Sequence, residues 1–265
     1  ICFFINPHMW QSIIRFVFYP LDFTIDALQG SFNPDPNKKF LEGNYAPVDK
    51  EWFQSNLPVT GVIPNDLLGE FVRNGPNPKH IPKGGYHWFD GDGMIHGVRF
   101  THGGIASYVN RWTRTERFLD EEKANRQLYI RIGEMKGKLG LLKLMLLRVK
   151  EFLGYFAPSY DHLQNGTANT ALQYHNGTFM ALVESDVPMA IKILMDGRLE
   201  EIGRLTYNNK LKHPFTAHPK VDPETQEMMF FGYQIMNEPN CLYSVVSSEG
   251  ELLSTVDIGI KRPVM

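Results

Sequence analysis

Short apolar runs alternate with tight-turn residue pairs along much of this chain. Two β-forming runs joined by Gly-Gly or Asn-Gly are typical of a β-hairpin, because glycine and asparagine readily adopt the positive φ angles of tight turns. Two such hairpins are Val98–Phe100 with Ala106–Trp112 around Gly103-Gly104, and Ala171–Tyr174 with Phe179–Val183 around Asn176-Gly177. The pattern therefore predicts antiparallel strands in this part of the chain.

The hairpin pattern continues towards the end of the chain. Further β-forming runs are Ala190–Met195, Leu199–Leu205, Glu227–Ile235, Leu242–Val246 and Leu252–Ile258. Repeated short strands at fairly even spacing predict an all-β fold, either a β-propeller or a β-sandwich. Because no repeat of fixed length is visible, the pattern leaves both architectures open.

An amphipathic helix is predicted near the N-terminus. Apolar residues recur at helical spacing from Trp10 to Phe18, with Gln11 and Arg15 on the other side. Proline has no amide hydrogen to continue the helix, so the helix is expected to end at Pro20. Polar residues interrupt this opening run too often for a membrane-spanning helix. The stripe itself is compatible with docking on the protein core or with lying in a membrane surface.

The second helical segment, Leu139–Phe156, is apolar along one side and carries positive charge at Lys143, Arg148 and Lys150, with Lys138 just before it. A basic amphipathic helix is typical of a membrane surface or of a helix that caps a core. On the membrane interpretation, the contacting residues are Leu142, Met145, Leu146, Val149, Phe152 and Leu153.

The segment Ser31–Asn77 is rich in proline, asparagine and glycine and shows little periodicity. We expect an extended segment there that wraps a domain without forming one. The chain is accordingly divided into residues 1–43, with the amphipathic helix and the start of the extended segment, and residues 44–265, which form the main domain.

The charge balance argues against nucleic acid as a partner. The 27 basic residues are mixed with 29 acidic ones and the net charge is −2, whereas nucleic-acid binders concentrate Lys and Arg on one face. The two cysteines, Cys2 and Cys241, lie far apart, so neither a disulfide framework nor a thiolate metal site is predicted. A reducing compartment is the natural expectation.

No local motif identifies the chemistry. The nine histidines are scattered without the spacing of a known metal motif, although ligands from distant parts of a chain leave no local signature. Asp90-Gly91-Asp92-Gly93 begins like a calcium loop, but Thr101 stands at the twelfth position, where that loop needs a glutamate. We expect instead a tight turn in which Gly91 and Gly93 have positive φ and the aspartates accept hydrogen bonds from nearby amides.

Four longer stretches resemble one protein family closely. They are Gly69–Pro78, Gly85–Gly97, Thr167–Leu172 and Thr216–Pro223. These stretches, which include the strings YHWFDGDGMIHG and TAHPKVDP, resemble the carotenoid cleavage dioxygenases of plants. The string YHWF is most similar to the type 1 subfamily or its near relatives, and the resemblance runs from about Asn44 to the end of the chain.

The resemblance implies a seven-bladed β-propeller, partial here and with amphipathic helical insertions, that holds Fe(II) on its axis through four histidines. It implies that His218 is the first iron ligand and that Glu184 is a carboxylate that hydrogen-bonds a ligand histidine and fixes its ring. It also implies that Phe89 helps to shape the substrate tunnel. Because relatives use two amphipathic segments to enter the membrane and extract a lipophilic substrate, it favours the membrane interpretation of Leu139–Phe156.

The implied reaction is the cleavage of a conjugated double bond in a carotenoid or apocarotenoid by O₂, at the 9,10 and 9′,10′ bonds, to give aldehyde or ketone products. Related alternatives are a relative that cleaves apocarotenoids or stilbene-like phenolics and an isomerase on the same fold. A carotenoid-binding or membrane-binding protein without catalysis is a further alternative. The type 1 resemblance implies a cytoplasmic protein with peripheral membrane attachment, and a plastid location stays open.

The resemblance does not extend to a complete iron site. Relatives place their second ligand in a His-Asp-Phe motif shortly after a stretch similar to Lys261–Met265, which is where this chain stops. Three of the four ligands would then be absent. We therefore expect this chain alone to be inactive and the full-length protein to be an enzyme.

Overall fold

Three antiparallel sheets of four strands each contain most of the regular structure. The computed structural model describes residues 7–32, 40–82, 85–155, 166–234 and 238–261. The first sheet has the order β1-β4-β3-β2 and consists of β1 (Trp52–Gln54), β2 (Gly69–Pro76), β3 (Gly93–Thr101) and β4 (Ile105–Trp112). The described part of the chain is thus dominated by antiparallel strands, as predicted, and its sheets do not close on one another.

The second and third sheets are simple meanders, in which each strand pairs with the next one in the sequence. The second sheet consists of β5 (Ala171–His175), β6 (Thr178–Leu182), β7 (Met189–Ile193) and β8 (Leu199–Arg204). The third sheet consists of β9 (Lys220–Val221), β10 (Met228–Tyr233), β11 (Cys241–Val246) and β12 (Leu252–Asp257).

The hairpins predicted from the turn pairs are confirmed. Gly103 and Gly104 have φ angles of +83° and +70° between β3 and β4. Asn176 and Gly177 have φ angles of +44° and +71° between β5 and β6. These residue types tolerate positive φ with little strain, so the sequence determines where the chain reverses.

Apolar side chains fill the space between the first and second sheets. The buried members of this core are Ile95, Val109, Ala168, Ala181, Met189, Ile191 and Leu199. Successive strand residues point to opposite faces, so one face of each sheet can contribute to a shared core. Arg99 of β3 adds polar contacts, because it lies 3.3 Å from Glu70 and donates a hydrogen bond to the carbonyl oxygen of Leu194 at 3.1 Å.

A second core lies between the second and third sheets. Its buried members include Met180, Leu182, Val187, Phe215, Met228, Phe230 and Val246. Phe215 and Phe230 stack with their ring centroids 3.8 Å apart, and aromatic pairs of this kind add to the energy of area burial. Phe215 belongs to the connection between β8 and β9, so this connection is fixed in the core rather than exposed as a loop.

Ser31–Asn77, for which an extended segment was predicted, also contributes two strands that the sequence pattern did not reveal. β1 and β2 lie in this range and form the two edges of the first sheet. All eight residues of β2 pair with β3, and Val72 packs against the core between the first two sheets. β2 contains two glycines, an asparagine and a proline, which have low β-propensity, so the sequence pattern does not predict a strand there. The strand forms nevertheless, because pairing with a partner strand outweighs local β-propensity.

Three helices lie outside the sheets, namely α1 (Pro7–Phe32), α2 (Glu116–Ala124) and α3 (Gly137–Phe152). The prediction that the first helix ends at Pro20 was wrong. Ile14 and Ile25 are both buried, one on each side of the proline, and Asp22 forms an ion pair with Lys150 of α3. Packing on both sides therefore holds the helix together through a residue that lacks an amide hydrogen.

α2 was not predicted from the sequence. Its N-cap is Thr115, whose hydroxyl accepts a hydrogen bond from the amide of Phe118 at 3.2 Å, and Glu116 follows in the first turn. Asn125 ends the helix with a left-handed φ of +49°. This combination of a threonine cap, an early glutamate and a terminal asparagine is a helix signal that the hydrophobic pattern does not contain.

α3 ends at Phe152, before the predicted end at Phe156, which lies outside the described residues. Among the helices that the structure describes, none has the length and apolar character needed to cross a membrane.

Candidate functional site

Glu184 and His218 are brought together by neighbouring sheets. Glu184 follows the last residue of β6 by two positions, and His218 precedes the first residue of β9 by two positions. Glu184 Oε1 and His218 Nε2 lie 3.9 Å apart, and the two side chains are 52% and 67% exposed. Because the two residues are distant in the sequence, no spacing rule could have paired them.

Thr216 connects the two residues. Its hydroxyl donates a hydrogen bond to Glu184 Oε1 at 3.3 Å and accepts one from the amide of His218 at 3.1 Å. Thr216 is only 1% exposed, and its own amide donates to the carbonyl oxygen of Phe231 in β10 at 2.8 Å. The polar pair is therefore attached to the core through one buried side chain.

Asp186 holds the turn that carries Glu184. Its carboxylate accepts hydrogen bonds from both terminal nitrogens of Arg204, at 2.8 and 3.2 Å, and from two backbone amides. Burial raises the pKa of Asp186 above its usual value, and the positive charge of Arg204 opposes that shift. The carbonyl oxygen of Asp186 accepts from the amide of Phe215 at 2.9 Å, next to Thr216. The turn that carries Glu184 and the segment that carries Thr216 and His218 are thus joined by a backbone hydrogen bond.

Phe89, the predicted tunnel residue, lies in a short 3₁₀ turn and is exposed. Asn169 fixes this turn, because its side-chain nitrogen donates to the carbonyl oxygens of Phe89 and Gly91 at 2.8 and 2.6 Å. Asn169 lies two residues before β5, so the turn is attached to the second sheet. Among the described residues, Phe89 makes no hydrogen bond, ion pair or ring contact with Glu184 or His218.

The prediction of positive φ at Gly91 and Gly93 was wrong. The φ of Gly91 is −71°, and Gly93 is not among the glycines with positive φ. Close packing requires these glycines instead, since a Cβ on Gly93 would lie 2.4 Å from the carbonyl oxygen of Ala168. The local hydrogen bonding predicted for the turn is confirmed, because Asp90 Oδ2 accepts from the amide of His87 at 2.8 Å.

The donor set of the pair suits one part of a histidine-rich metal centre. Within the described ranges, no three His, Cys, Asp or Glu side chains are grouped so that they could hold a metal ion. A neutral imidazole is a good ligand for Fe(II), and a carboxylate beside a ligand imidazole orients its ring. His218 suits the role of the ligand. Glu184 suits the role of the carboxylate towards another imidazole, because 3.9 Å is too long for a hydrogen bond to His218.

The six residues predicted to contact a membrane divide into two groups. Leu142, Met145, Val149 and Phe152 are exposed on α3. Leu153 packs against the cluster formed by Ile14, Tyr129 and Tyr155, and Leu146 lines the pocket between α1 and α3. Four of the six side chains are therefore free to meet a partner surface.

α1, which contacts α3, also exposes apolar residues. Of its predicted stripe, Ile14 is buried but Val17 is exposed, and Arg15, predicted on the polar side, donates to the carbonyl oxygen of Tyr155 at 3.3 Å. The exposed apolar residues of α1 include Met9, Trp10, Ile13, Phe16, Val17, Leu21 and Phe23. We call these residues, together with the four exposed residues of α3, the helix-pair surface.

Sequence reasoning assigned no role to Thr216 or Asn169 and missed the ion pair of Asp186 and Arg204. Thr216 and Asn169 lie inside the stretches that carry the family resemblance, which was the only available signal. Hydrophobic periodicity does not report such residues, because their contribution is a hydrogen bond to a distant backbone or side-chain atom.

The chain matches a family model and curated proteins over most of its length. The family model described as RPE65, retinal pigment epithelial membrane protein, matches residues 45–265. Carotenoid 9,10(9′,10′)-cleavage dioxygenase 1 of Pisum sativum is 49% identical over 227 residues, which cover 85% of this chain and 41% of that protein. The chain thus spans about two fifths of the length of the curated relatives it matches.

Two solved structures of similar fold are those of a dioxygenase and an oxygenase. The lignostilbene dioxygenase of Pseudomonas brassicacearum has a TM-score of 0.64 and 29% identity, and the match covers 84% of this chain and 42% of that one. A cobalt-substituted apocarotenoid oxygenase of Synechocystis has a TM-score of 0.58 and 25% identity, with 79% and 42% covered. From the family model, the identities and the fold, we conclude that the chain belongs to the carotenoid oxygenase family, which the RPE65 model describes.

Proposed function

We propose that the whole protein is an oxygenase that cleaves a conjugated double bond of a carotenoid or apocarotenoid with O₂. The 9,10 and 9′,10′ bonds are the proposed positions, because the Pisum sativum relative, which is 49% identical, is named for them. The observation that carries the proposal is the pair of Glu184 and His218, 3.9 Å apart, in a chain of this family.

The proposed architecture of the whole protein is a seven-bladed β-propeller, in which the three sheets are consecutive blades. Four-stranded antiparallel sheets arranged around a common axis are typical of this fold. β2, β5 and β9 each form an edge of their sheets, and β2 packs beside β5. Asn74 of β2 donates to the carbonyl oxygens of Ala168 and Ala171 at 2.8 and 3.3 Å, which supports an inner position for both strands.

The proposed cofactor is Fe(II), held by four imidazoles of which His218 would supply one. Bound there, the metal would activate O₂ for reaction with the double bond. The cobalt-substituted Synechocystis structure supports a metal centre in that relative. In this chain, the proposed task of Glu184 is to accept the N–H of a ligand imidazole, which fixes both the tautomer and the ring orientation.

Phe89 is proposed to line the path of the substrate. A carotenoid is apolar along its length, and binding sites for such molecules are lined mainly by hydrophobic and aromatic side chains. Phe89 presents an exposed ring on a turn that Asn169 holds through two hydrogen bonds. A fixed turn sets the backbone position from which the ring projects, which suits a wall that selects the bond to be cleaved.

The helix-pair surface is proposed to contact a membrane from which the apolar substrate is taken up. Large exposed apolar patches in soluble proteins mark interaction sites. Lys138 and Arg148 are exposed on α3, and basic residues beside an apolar face are typical of helices that lie in a membrane interface. Peripheral attachment in the cytoplasm is proposed, and imaging of the tagged full-length protein would distinguish it from a plastid location.

Residues 1–265 alone are proposed to be inactive, because a single imidazole binds Fe(II) weakly and three ligands would be missing. The test expresses this chain and the full open reading frame side by side and supplies carotenoid and apocarotenoid substrates under O₂. Aldehyde or ketone products of 9,10 cleavage from the full-length protein alone support the proposal. Lack of both bound iron and product in the full-length protein would contradict it and favour carotenoid or membrane binding without catalysis.

Cleavage of a stilbene-like phenolic is the second candidate. The observation that favours it is the 29% identity to the lignostilbene dioxygenase, the highest TM-score among the structures compared above, 0.64. The same assay decides between the two when a lignostilbene is supplied in parallel with a carotenoid. A product that contains no added oxygen would instead indicate isomerisation.

A further inference from the structure

We propose that Thr216 is a positioning residue that orients the Glu184 carboxylate for the proposed metal centre. The inference rests on the proposed function and assigns a role to a residue that would neither bind the metal nor contact the substrate. It follows from the direction of two hydrogen bonds and from the burial of the side chain that makes them.

The directions of the two hydrogen bonds are fixed by chemistry. A threonine hydroxyl has one hydrogen to donate and two lone pairs to accept. The amide of His218 can only donate, so it uses one lone pair of Thr216 at 3.1 Å. The single hydroxyl hydrogen is then available for Glu184 Oε1 at 3.3 Å. Within the described part of the chain, Glu184 Oε2 has no hydrogen-bond partner, so one oxygen of the carboxylate is engaged and the other is not.

Thr216 can impose this orientation because burial and a backbone hydrogen bond hold it in place. It is 1% exposed, its amide donates a hydrogen bond to the carbonyl oxygen of Phe231 in β10, and its neighbours Phe215 and Ala217 are buried. Glu184, by contrast, has an exposed side chain with three rotatable bonds, which would otherwise populate several rotamers. The hydrogen bond from Thr216 therefore restricts a carboxylate that burial does not restrict.

The consequence for the proposed centre is directional. With Oε1 held by Thr216, the plane of the carboxylate is set, and its remaining lone pairs, one on Oε1 and two on Oε2, have defined directions in which to accept the N–H of a ligand imidazole. Carboxylates that orient ligand histidines are sensitive to such placement, and loss of outer partners of a metal site commonly lowers metal affinity 10-fold to 100-fold. Removal of the Thr216 hydroxyl should therefore weaken metal binding without removal of any ligand.

The test measures the binding of Co(II) to the full-length protein by visible absorption, in the wild type and in two variants. Thr216→Val removes the hydroxyl and keeps the shape of the side chain, and Thr216→Ser is the matched control that keeps the hydroxyl. We expect Thr216→Val to bind Co(II) about tenfold more weakly and to shift its visible bands, whereas Thr216→Ser should stay within about twofold of the wild type. Wild-type affinity and spectrum in Thr216→Val would overturn the inference.

Further controls separate a structural role from a positioning role. In a Glu184→Ala background, Thr216→Val should cause no additional loss of Co(II) affinity, and an undiminished loss there would show that Thr216 does not act through Glu184. If Thr216→Val does not fold, Thr216→Ala replaces it, and failure of both hydroxyl-free variants would assign Thr216 to the core and overturn the inference. A wild-type protein that binds no Co(II) would instead refute the proposed function, before any variant is compared.

Discussion

Arg204 binds Asp186 through two hydrogen bonds, at 2.8 and 3.2 Å, at the turn that carries Glu184. Asp186 is buried, and burial raises its pKa while Arg204 opposes the rise. The positive charge of Arg204 compensates the negative charge of the buried carboxylate. The ion pair also fixes the backbone position of the half-exposed Glu184, because the turn that carries this residue is held from within the protein.

The first prediction concerns this ion pair. Arg204→Met leaves the Asp186 carboxylate buried without its cation, and we expect it to lower the free energy of unfolding by ~3 kcal/mol, measured by urea denaturation. Arg198→Met is the matched control, because it removes an ion pair to Asp196 in which both side chains are largely exposed. The control should leave the free energy of unfolding unchanged within error. Equal losses in the two variants would contradict this account of the turn.

The second prediction tests the close approach at Gly93. A Cβ there would lie 2.4 Å from the carbonyl oxygen of Ala168 and 2.6 Å from that of Thr167. Gly93→Ala should therefore lower the free energy of unfolding by ~3 kcal/mol, the upper range for overpacking. Gly75, on the paired strand, has open space where a Cβ would lie, with no contacting group within 4 Å. Gly75→Ala should change stability by less than ~1 kcal/mol, and a comparable loss at both glycines would refute the packing argument.

The hairpins were predictable because their signal is local. Gly103-Gly104 and Asn176-Gly177 have the φ angles that their residue types favour, whatever the rest of the chain does. β2 and the continuation of α1 through Pro20 were not predictable in this way. Both depend on partners distant in the sequence, and such partners override local propensity.

The candidate site was predictable only through the family resemblance. Nothing in the spacing of Glu184 and His218 pairs them, because they come from different sheets. The resemblance identified these two residues and Phe89, but the hydrogen bonds that hold them involve Thr216 and Asn169. Their roles depend on where atoms lie in three dimensions, which a sequence pattern does not specify.

The third prediction is a pH dependence of stability that arises at His213. This buried ring donates from Nδ1 to the carbonyl oxygen of Pro214 at 2.7 Å, and its Nε2 accepts from the hydroxyl of Ser244 at 2.8 Å. Burial lowers the pKa of His213 in the folded protein, so the folded state binds fewer protons than the unfolded state. Stability is therefore retained above the ordinary pKa of about 6.5 and is lost as pH falls from there towards the lowered folded value.

The measurement for His213 is urea denaturation of the wild type and of His213→Gln at pH 7.5 and pH 5.5. The difference in unfolding free energy between the two pH values should be smaller in His213→Gln, since the group that takes up a proton on unfolding is gone. His102→Gln, at an exposed position, is the control and should keep the wild-type difference. The burial of His96 also lowers its pKa, so a residual pH dependence is expected in all three proteins. An unchanged difference in His213→Gln would contradict the assignment.

The fourth prediction tests the helix-pair surface. Phe152 and Met195 are both 90% exposed, but Phe152 lies at the end of α3 and Met195 lies in the turn between β7 and β8. Phe152→Glu should lower binding of the full-length protein to phospholipid vesicles several-fold, because a charge replaces an apolar group in the membrane interface. Met195→Glu should leave vesicle binding unchanged in the same co-sedimentation assay. Equal effects of the two substitutions would show that the helix pair is not the contacting surface.

Whether His218 binds iron is measured by elemental analysis of the full-length protein and of His218→Ala after identical reconstitution with Fe(II). His102→Ala is the control, because it removes an exposed histidine from the β3–β4 hairpin. We expect about one iron per chain in the wild type and in His102→Ala, and a large loss of iron in His218→Ala. Full retention of iron in His218→Ala would show that His218 is not a ligand and would contradict the proposed centre.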